Sequence, residues 1–320
     1  MDKKHILVLG GCGYIGSVLV PRLLDEGHRV TVADLLWFGN HLPDHPELTV
    51  VRADVREAES LPMDGVDSLI HLANVANDPC GDLNAKLVWE VNALAAMGVM
   101  EAALAAGVKQ FIYASSGSVY GVKSEAQVTE ELSLVPISDY NKTKMIAERV
   151  LLSYADRMDL HIVRPATVCG FSPRTRLDVS VNLLTMQALA NKRITVFGGD
   201  QTRPNIHIRD LVGVFCHFIE TGNQYPGVFN AGFENLTIME MARDIARQAH
   251  AEITVTESND PRSYRLNSDK LLATGFVPKH GVARGIEEIR SAHEQGILKD
   301  EEIHYNIKTM TRLMAQGDIR

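Results

Sequence analysis

The first half of the chain alternates short apolar runs with longer stretches of helical periodicity. Residues 6–9, Ile-Leu-Val-Leu, form an apolar run that stops at Gly10, the pattern of a strand buried on both faces. Residues 14–26 follow with Ile15, Val18, Leu19 and Leu23 on one helical stripe, and Gly27 stands where a C-cap is expected. Further strands are predicted at 29–33, 48–52, 68–72, 110–114 and 160–163. A long alanine-rich helix over 84–106 ends at Gly107, and another helix is predicted over 140–157. This alternation predicts an α/β fold, a doubly wound parallel sheet of Rossmann type.

Beyond Pro165 the alternation loosens. Residues 172–176 read as a loop, 194–197 as a strand, and 179–190, 208–221, 238–250 and 286–295 as helices. The expected organisation is a dinucleotide-binding domain over 1–170 that carries the catalytic groups. A smaller substrate lobe over 171–320 is partly interleaved with it. No Ser/Gly-rich linker, low-complexity tract or repeat divides the two.

Composition narrows the partners. The net charge of -8, with no Lys/Arg run longer than Lys3-Lys4, argues against nucleic acid, although a few arginines can still hold a small anion. Cys12, Cys80, Cys169 and Cys216 form no C-x-x-C pair and read as free thiols of a reducing cytosol, so a cytoplasmic location is expected. His41 and His45 are four apart, but the prolines around them break a helical face, and no metal site is expected. The N-terminal apolar run is too short for a signal sequence, and no later segment reaches membrane length without a charge or a breaker.

The segment Gly10-Gly11-Cys12-Gly13-Tyr14-Ile15-Gly16 joins the first strand to the first helix. Glycines at 10, 13 and 16 let the backbone turn tightly, approach a pyrophosphate and pack helix on sheet, while Tyr14 and Ile15 head the helix that faces the phosphates. Asp34 ends the second strand, where an acid accepts hydrogen bonds from the adenine ribose and repels a 2′-phosphate. The expected cofactor is therefore NAD rather than NADP. The same crevice takes Asp54 and Val55 after the third strand and Leu72 and Ala73 after the fourth. Asp54 is placed either to reach adenine or to cap its own strand end.

Ser115-Ser116-Gly117-Ser118-Val119-Tyr120-Gly121 follows the fifth strand, at the carboxyl edge of the sheet. Tyr140 and Lys144 come next, four apart and on one helical face. A phenol titrates near about 10, and a neighbouring ammonium together with a nicotinamide ring would favour its phenolate. A serine hydroxyl of the preceding segment would position the substrate oxygen and share its proton, and Lys144 would bond the nicotinamide ribose.

These motifs resemble the extended short-chain dehydrogenase/reductases, in particular the nucleotide-sugar epimerase/dehydratase group that includes UDP-glucose 4-epimerase. The resemblance runs over nearly the whole chain. It rests on the glycine motif, His71-Leu72-Ala73, Asn92 in the long helix, Ser-Val-Tyr-Gly, Tyr-x-x-x-Lys and Arg164-Pro165-Ala166. The box from Arg203 to Leu211 extends it. It implies Ser116, Tyr140 and Lys144 as catalytic positions and a nucleotide-diphosphate sugar as substrate, with Ser116, Ser118, Arg203 and Arg262 touching it. It also implies a homodimer through the two long helices. Val88, Leu94, Val99, Ile146, Val150 and Tyr154 there look apolar beyond one core-facing stripe. The chain departs from the pattern after Asp34, at Pro204 and over Arg174-Thr175-Arg176-Leu177-Asp178. Dehydratases of the group carry an Asp-Glu pair where this chain has Gly117-Ser118, so the implied reaction is 4-epimerisation through a 4-keto sugar. A carboxylate from Glu125 or Asp178 would reopen elimination, and a C4 dehydrogenase would use the same residues.

Overall fold

The computed structural model describes residues 3–257 and 263–319. In the first half, β1 (His5–Leu9), β2 (Arg29–Asp34), β3 (Leu48–Arg52), β4 (Ser68–His71), β5 (Gln110–Ala114) and β6 (Asp159–Pro165) are strands. Between them lie α1 (Gly16–Asp25), α2 (Asp78–Leu83), α3 (Ala85–Trp89), α4 (Ala95–Ala105) and α5 (Asp139–Leu152). The second half adds β7 (Thr167–Cys169), α6 (Ser180–Asn191), β8 (Arg193–Phe197), β9 (Thr202–His207), α7 (Ile208–Thr221) and β10 (Gly227–Ala231). It closes with β11 (Glu234–Thr237), α8 (Ile238–Ala249), β12 (Glu252–Thr256), α9 (Asp269–Leu272), α10 (Val282–Glu294) and α11 (Asn306–Gln316).

The large sheet has the order β10-β6-β5-β4-β1-β2-β3, and every pair in it is parallel. Its direction reverses beside β1, between β2 and β4, which places the crevice at the carboxyl ends of those strands. Ile6, Val8, Val30, Val32 and Ile112 pack on one face with Leu19 and Leu23 of α1 and Leu211 and Phe215 of α7. Leu7, Leu9, Leu69, Phe111 and Tyr113 pack on the other with Val88, Val99 and Ala147 from the long helices. Burial on both faces explains why these strands read as unbroken apolar runs rather than as alternation.

The long helix expected over 84–106 is real from Ala85 to Ala105, but Glu90–Leu94 is a π-helical turn. The extra residue in that turn rotates Asn92 inward. There its Oδ1 accepts the Val75 N–H at 2.8 Å and its Nδ2 donates to the Val75 carbonyl at 3.0 Å. Ala85–Ala105 is long and apolar enough to cross a membrane by composition, and its buried face accounts for that apolarity through core packing.

In the second half β9 lies between β11 and β7, and β8 pairs with β12. Val181, Leu184, Ile194, Met241, Ile245 and Ile286 form the core of this lobe. Several of its elements were not legible as strands. Thr202–His207 contains Pro204 and four polar positions, which do not read as a strand, yet β11 pairs with it antiparallel, Asn235 opposite Pro204. Gly227–Ala231 returns to the large sheet beside β6.

A buried ion pair ties α5 to the sheet. Arg164 of β6 donates to Glu148 through Nη2 at 2.6 Å and Nε at 3.0 Å, with both side chains almost fully buried. Its Nη1 donates to the Tyr120 hydroxyl at 2.7 Å, which in turn donates to Asn230 Oδ1 at 2.8 Å. Ser115 donates to Glu148 as well. Removing one partner strands the other charge in a dry interior, so Glu148→Ala should cost about 3–5 kcal/mol of unfolding free energy by chemical denaturation. A loss below about 1 kcal/mol would mean that the pair does not carry this junction.

Candidate active site

The turn before α1 is built from close backbone approaches. Gly10, at φ +78°, donates to the Ala33 carbonyl at 2.8 Å, and a Cβ there would lie 2.6 Å from the Ala73 nitrogen. A Cβ on Gly16 would meet the Gly11 carbonyl oxygen at 2.3 Å. Gly13 is different, because a Cβ there would find only the Gly10 oxygen at 3.3 Å. Its missing side chain leaves room above the N-terminus of α1, where a diphosphate fits against free N–H groups.

A cleft with a cavity volume of about 160 Å³ opens at this point. Gly10, Gly13, Tyr14, Ile15 and Gly16 form its floor, as expected from the sequence. Asp34, Val55, Leu72 and Ala73 form its sides, also as expected. Asp34 accepts N–H bonds from Cys12 at 3.0 Å and Leu36 at 2.8 Å. Burial pushes its carboxyl above the ordinary value, while those two N–H groups and the Arg174 charge hold it back. The Tyr14 side chain points away from this task, donating to the Gly170 carbonyl at 2.7 Å. The Asp54 carboxylate pairs with Arg56 at 2.7 Å and accepts the Arg56 N–H at 2.9 Å, and its neighbours Ala53 and Val55 line the cleft.

The expected catalytic side chains meet at the next strand end. Ser116 begins a short 3-10 turn over Gly117–Tyr120, and its Oγ lies 2.7 Å from Ser118 Oγ. Ser118 donates to Asn141 Oδ1 at 2.5 Å. Ser138 caps α5 by accepting the Asn141 N–H at 3.2 Å, which sets Tyr140 in the first turn, within hydrogen-bonding reach of Ser116. Lys144 follows one turn later, fully buried.

Two electrostatic expectations need correction. Lys144 Nζ does not sit against the Tyr140 hydroxyl. It donates to the Ala114 carbonyl at 2.8 Å and to Tyr113 Oη at 3.3 Å, the acceptors that the end of β5 presents to α5. Burial pushes its ammonium down to about 7, with Glu148 opposing. Tyr140 itself stands above the ordinary phenol value, because burial outweighs everything else around it. The largest opposing influence is the Arg176 charge, then the bond to Ser116, while Asp78 pushes the other way. Arg176 was not among the expected site residues.

Arg203 lies in β9, opposite Leu236. Thr202 beside it donates to Ser263 Oγ at 3.0 Å and accepts the Tyr264 N–H at 3.3 Å. A Cβ on Gly117 would lie 3.7 Å from the Tyr264 hydroxyl, so this segment links the strand of Arg203 to the serine turn. Arg262 lies outside the described residues.

Several groups in the cleft were missed, among them two cations and an amide from the second half of the chain. Arg174 and Arg176 reach it from the loop after β7, and Asn306 from the start of α11. Arg176 pairs with Asp178 at 2.6 Å. The loop was legible as a loop and as a departure from the family pattern, but nothing in its spacing says which cleft it covers. The signal for α11 was present, since Ile307, Met310, Leu313 and Met314 share one helical face.

Arg176 generates a pH test. A cation stabilises phenolate, so Arg176→Met should raise the pKa of the group that must lose its proton. The basic-going limb of the pH–rate profile should move up by about 1 unit, with Arg176→Lys restoring part of the shift. An unmoved limb in Arg176→Met would exclude this role.

Residues 6–232 match the NAD dependent epimerase/dehydratase family. A UDP-glucose 4-epimerase of Lactobacillus helveticus is 28% identical over 312 residues, covering 86% of this chain and 92% of that protein. A UDP-glucuronic acid decarboxylase 1 of Danio rerio is 27% identical over 306 residues, covering 90% of this chain and 72% of that protein. Among solved structures, a UDP-glucuronic acid 4-epimerase from Bacillus cereus, in complex with UDP-glucuronic acid and NAD, has a TM-score of 0.80. It is 25% identical and covers 91% of this chain and 99% of its own.

Proposed function

The chain belongs to the NAD dependent epimerase/dehydratase family, and from that premise we propose that it inverts C4 of a nucleotide-diphosphate sugar through a transient 4-keto sugar. The observation that carries this reading is the serine turn. Ser116 and Ser118 offer hydroxyls to position a sugar oxygen, and neither they nor Gly117 between them supplies a carboxyl group to remove water. Tyr140 takes the C4 hydroxyl proton, Ser116 holds the same oxygen, and Lys144 orders the ribose side of the cleft. The glycine turn, with Asp34, Val55, Leu72 and Ala73, holds NAD, which supplies the hydride acceptor and donor when bound. Asp34 favours NAD over NADP by repelling a 2′-phosphate. Arg203 and Arg262 take the substrate diphosphate, with forked guanidinium geometry suited to it. In this reading residues 1–170 carry cofactor and catalysis, and 171–320 mainly bind the nucleotide sugar.

One observation favours a second reading within the family. The Asp78 carboxylate is near enough to Tyr140 to raise its pKa, so a carboxyl group does approach the reacting centre. Product analysis separates the two. With C4-deuterated UDP-, GDP-, dTDP- and CDP-sugars, the expected result is an inverted C4 that retains the label, with no net NADH. A 4-keto-6-deoxy product, or NADH accumulating with a released 4-keto sugar, would refute epimerisation. Tyr140→Phe should lower kcat by at least about 100-fold and leave NAD binding intact.

The enzyme also reads as cytoplasmic and as a dimer across its long helices. Val88 and Val99 are core residues rather than interface ones. Leu94 and Met97, however, are 66% and 54% exposed one turn apart, beside the half-buried Ile146, Val150 and Tyr154. Light scattering at micromolar concentration should give the mass of two chains, and a monomer would rule the pairing out.

A further inference from the structure

We propose that Arg174 is a clamp on the cofactor's diphosphate, held in place by Asn306, so that the last helix of the chain locks the dinucleotide into its cleft. The inference rests on reading this cleft as the NAD site.

Arg174 is only 3% exposed and lines the cleft together with the glycine turn. Its Nη2 donates to Asn306 Oδ1 at 2.6 Å, and its guanidinium lies 4.0 Å from the centre of the Phe38 ring. Its Nε–H is buried and has no partner. No described carboxylate pairs with it, although its charge is near enough to Asp34 to influence that group. With Asp34 and Asp178 nearby but no described carboxylate in contact, this buried cation is only partly compensated, so the arrangement is suited to an anion that arrives from outside the chain. The residues around it narrow the anion's class. The side-chain-free space above Gly13 and the N-terminus of α1 favour a diphosphate, and a guanidinium edge with a free N–H complements one.

The clamp is anchored from two directions. Asp178 accepts the Asn306 backbone N–H at 3.0 Å and holds Arg176, whose Nη2 is a second buried donor without a partner in the same cleft. The loop after β7 and the start of α11 therefore form one unit across the opening. Such a closure suits a reaction in which the cofactor must stay bound between oxidation and reduction.

The test is calorimetric titration of NAD-stripped protein with NAD, ADP, adenosine and UDP. Arg174→Met should bind NAD and ADP about 10- to 100-fold more weakly, with adenosine and UDP within about twofold of wild type. Arg174→Lys keeps the charge but not the fork, and should show a smaller loss of the same selectivity. It carries the test if the Met variant does not fold. Asn306→Ala should release NAD faster. Adenosine falling as far as ADP would overturn the clamp, because Arg174 would then act through Phe38 on the base. A loss confined to UDP would assign the arginine to substrate and overturn it too. Unchanged NAD binding by folded Arg174→Met would overturn the clamp alone. Wild-type protein that binds neither NAD nor ADP would overturn the reading of the cleft along with it.

Discussion

The placement of the reacting groups depends on the buried pair between Arg164 and Glu148. Glu148 stands on the helix that carries Tyr140 and Lys144, and Arg164 stands on the strand beside the serine turn. Through Tyr120, Asn230 and Ser115 the same network reaches both ends of that turn and the far edge of the sheet. A buried ion pair is seldom a net source of stability, because desolvation offsets its attraction. Its effect here is geometric. Only one rotation and depth of α5 satisfies all the donors and acceptors of the network, and that setting brings Tyr140 to Ser116.

The large sheet was readable from the chain because its strands are buried on both faces and its helices show one apolar stripe. The glycine turn, Asp34 and the Tyr140–Lys144 spacing stand out because each depends on residues close in sequence, whereas Ser116 was singled out by the family resemblance. What escaped depends on contacts between distant segments. The π-helical turn at Glu90–Leu94 has no signature apart from Asn92, whose partner is the backbone of Val75. Strand β9 contains a proline and polar residues because its neighbours, not its own pattern, make it a strand.

Spacing alone put an ammonium beside the Tyr140 phenol. Packing redirected it, since the Ala114 carbonyl and Tyr113 hydroxyl offer Lys144 better partners in a dry pocket. The guanidinium influencing that phenol comes from a loop more than thirty residues later, at Arg176. The charge balance at the reacting oxygen is therefore shared between the two halves of the molecule, and a change in how the later loop packs would alter the proton chemistry of the earlier helix.

The seventh strand of the sheet has a consequence for how the protein is made. Strand β10 joins β6 only after more than sixty intervening residues, which build most of the second lobe. During synthesis from the N-terminus, β6 stays an open edge until residue 227 has left the ribosome. Asn230, the acceptor for Tyr120, arrives with that strand. A nascent chain that already contains every catalytic residue thus lacks the last hydrogen bonds of the network that orients them. Delayed closure of the edge keeps the catalytic half dependent on a non-local pairing, the slowest kind to form.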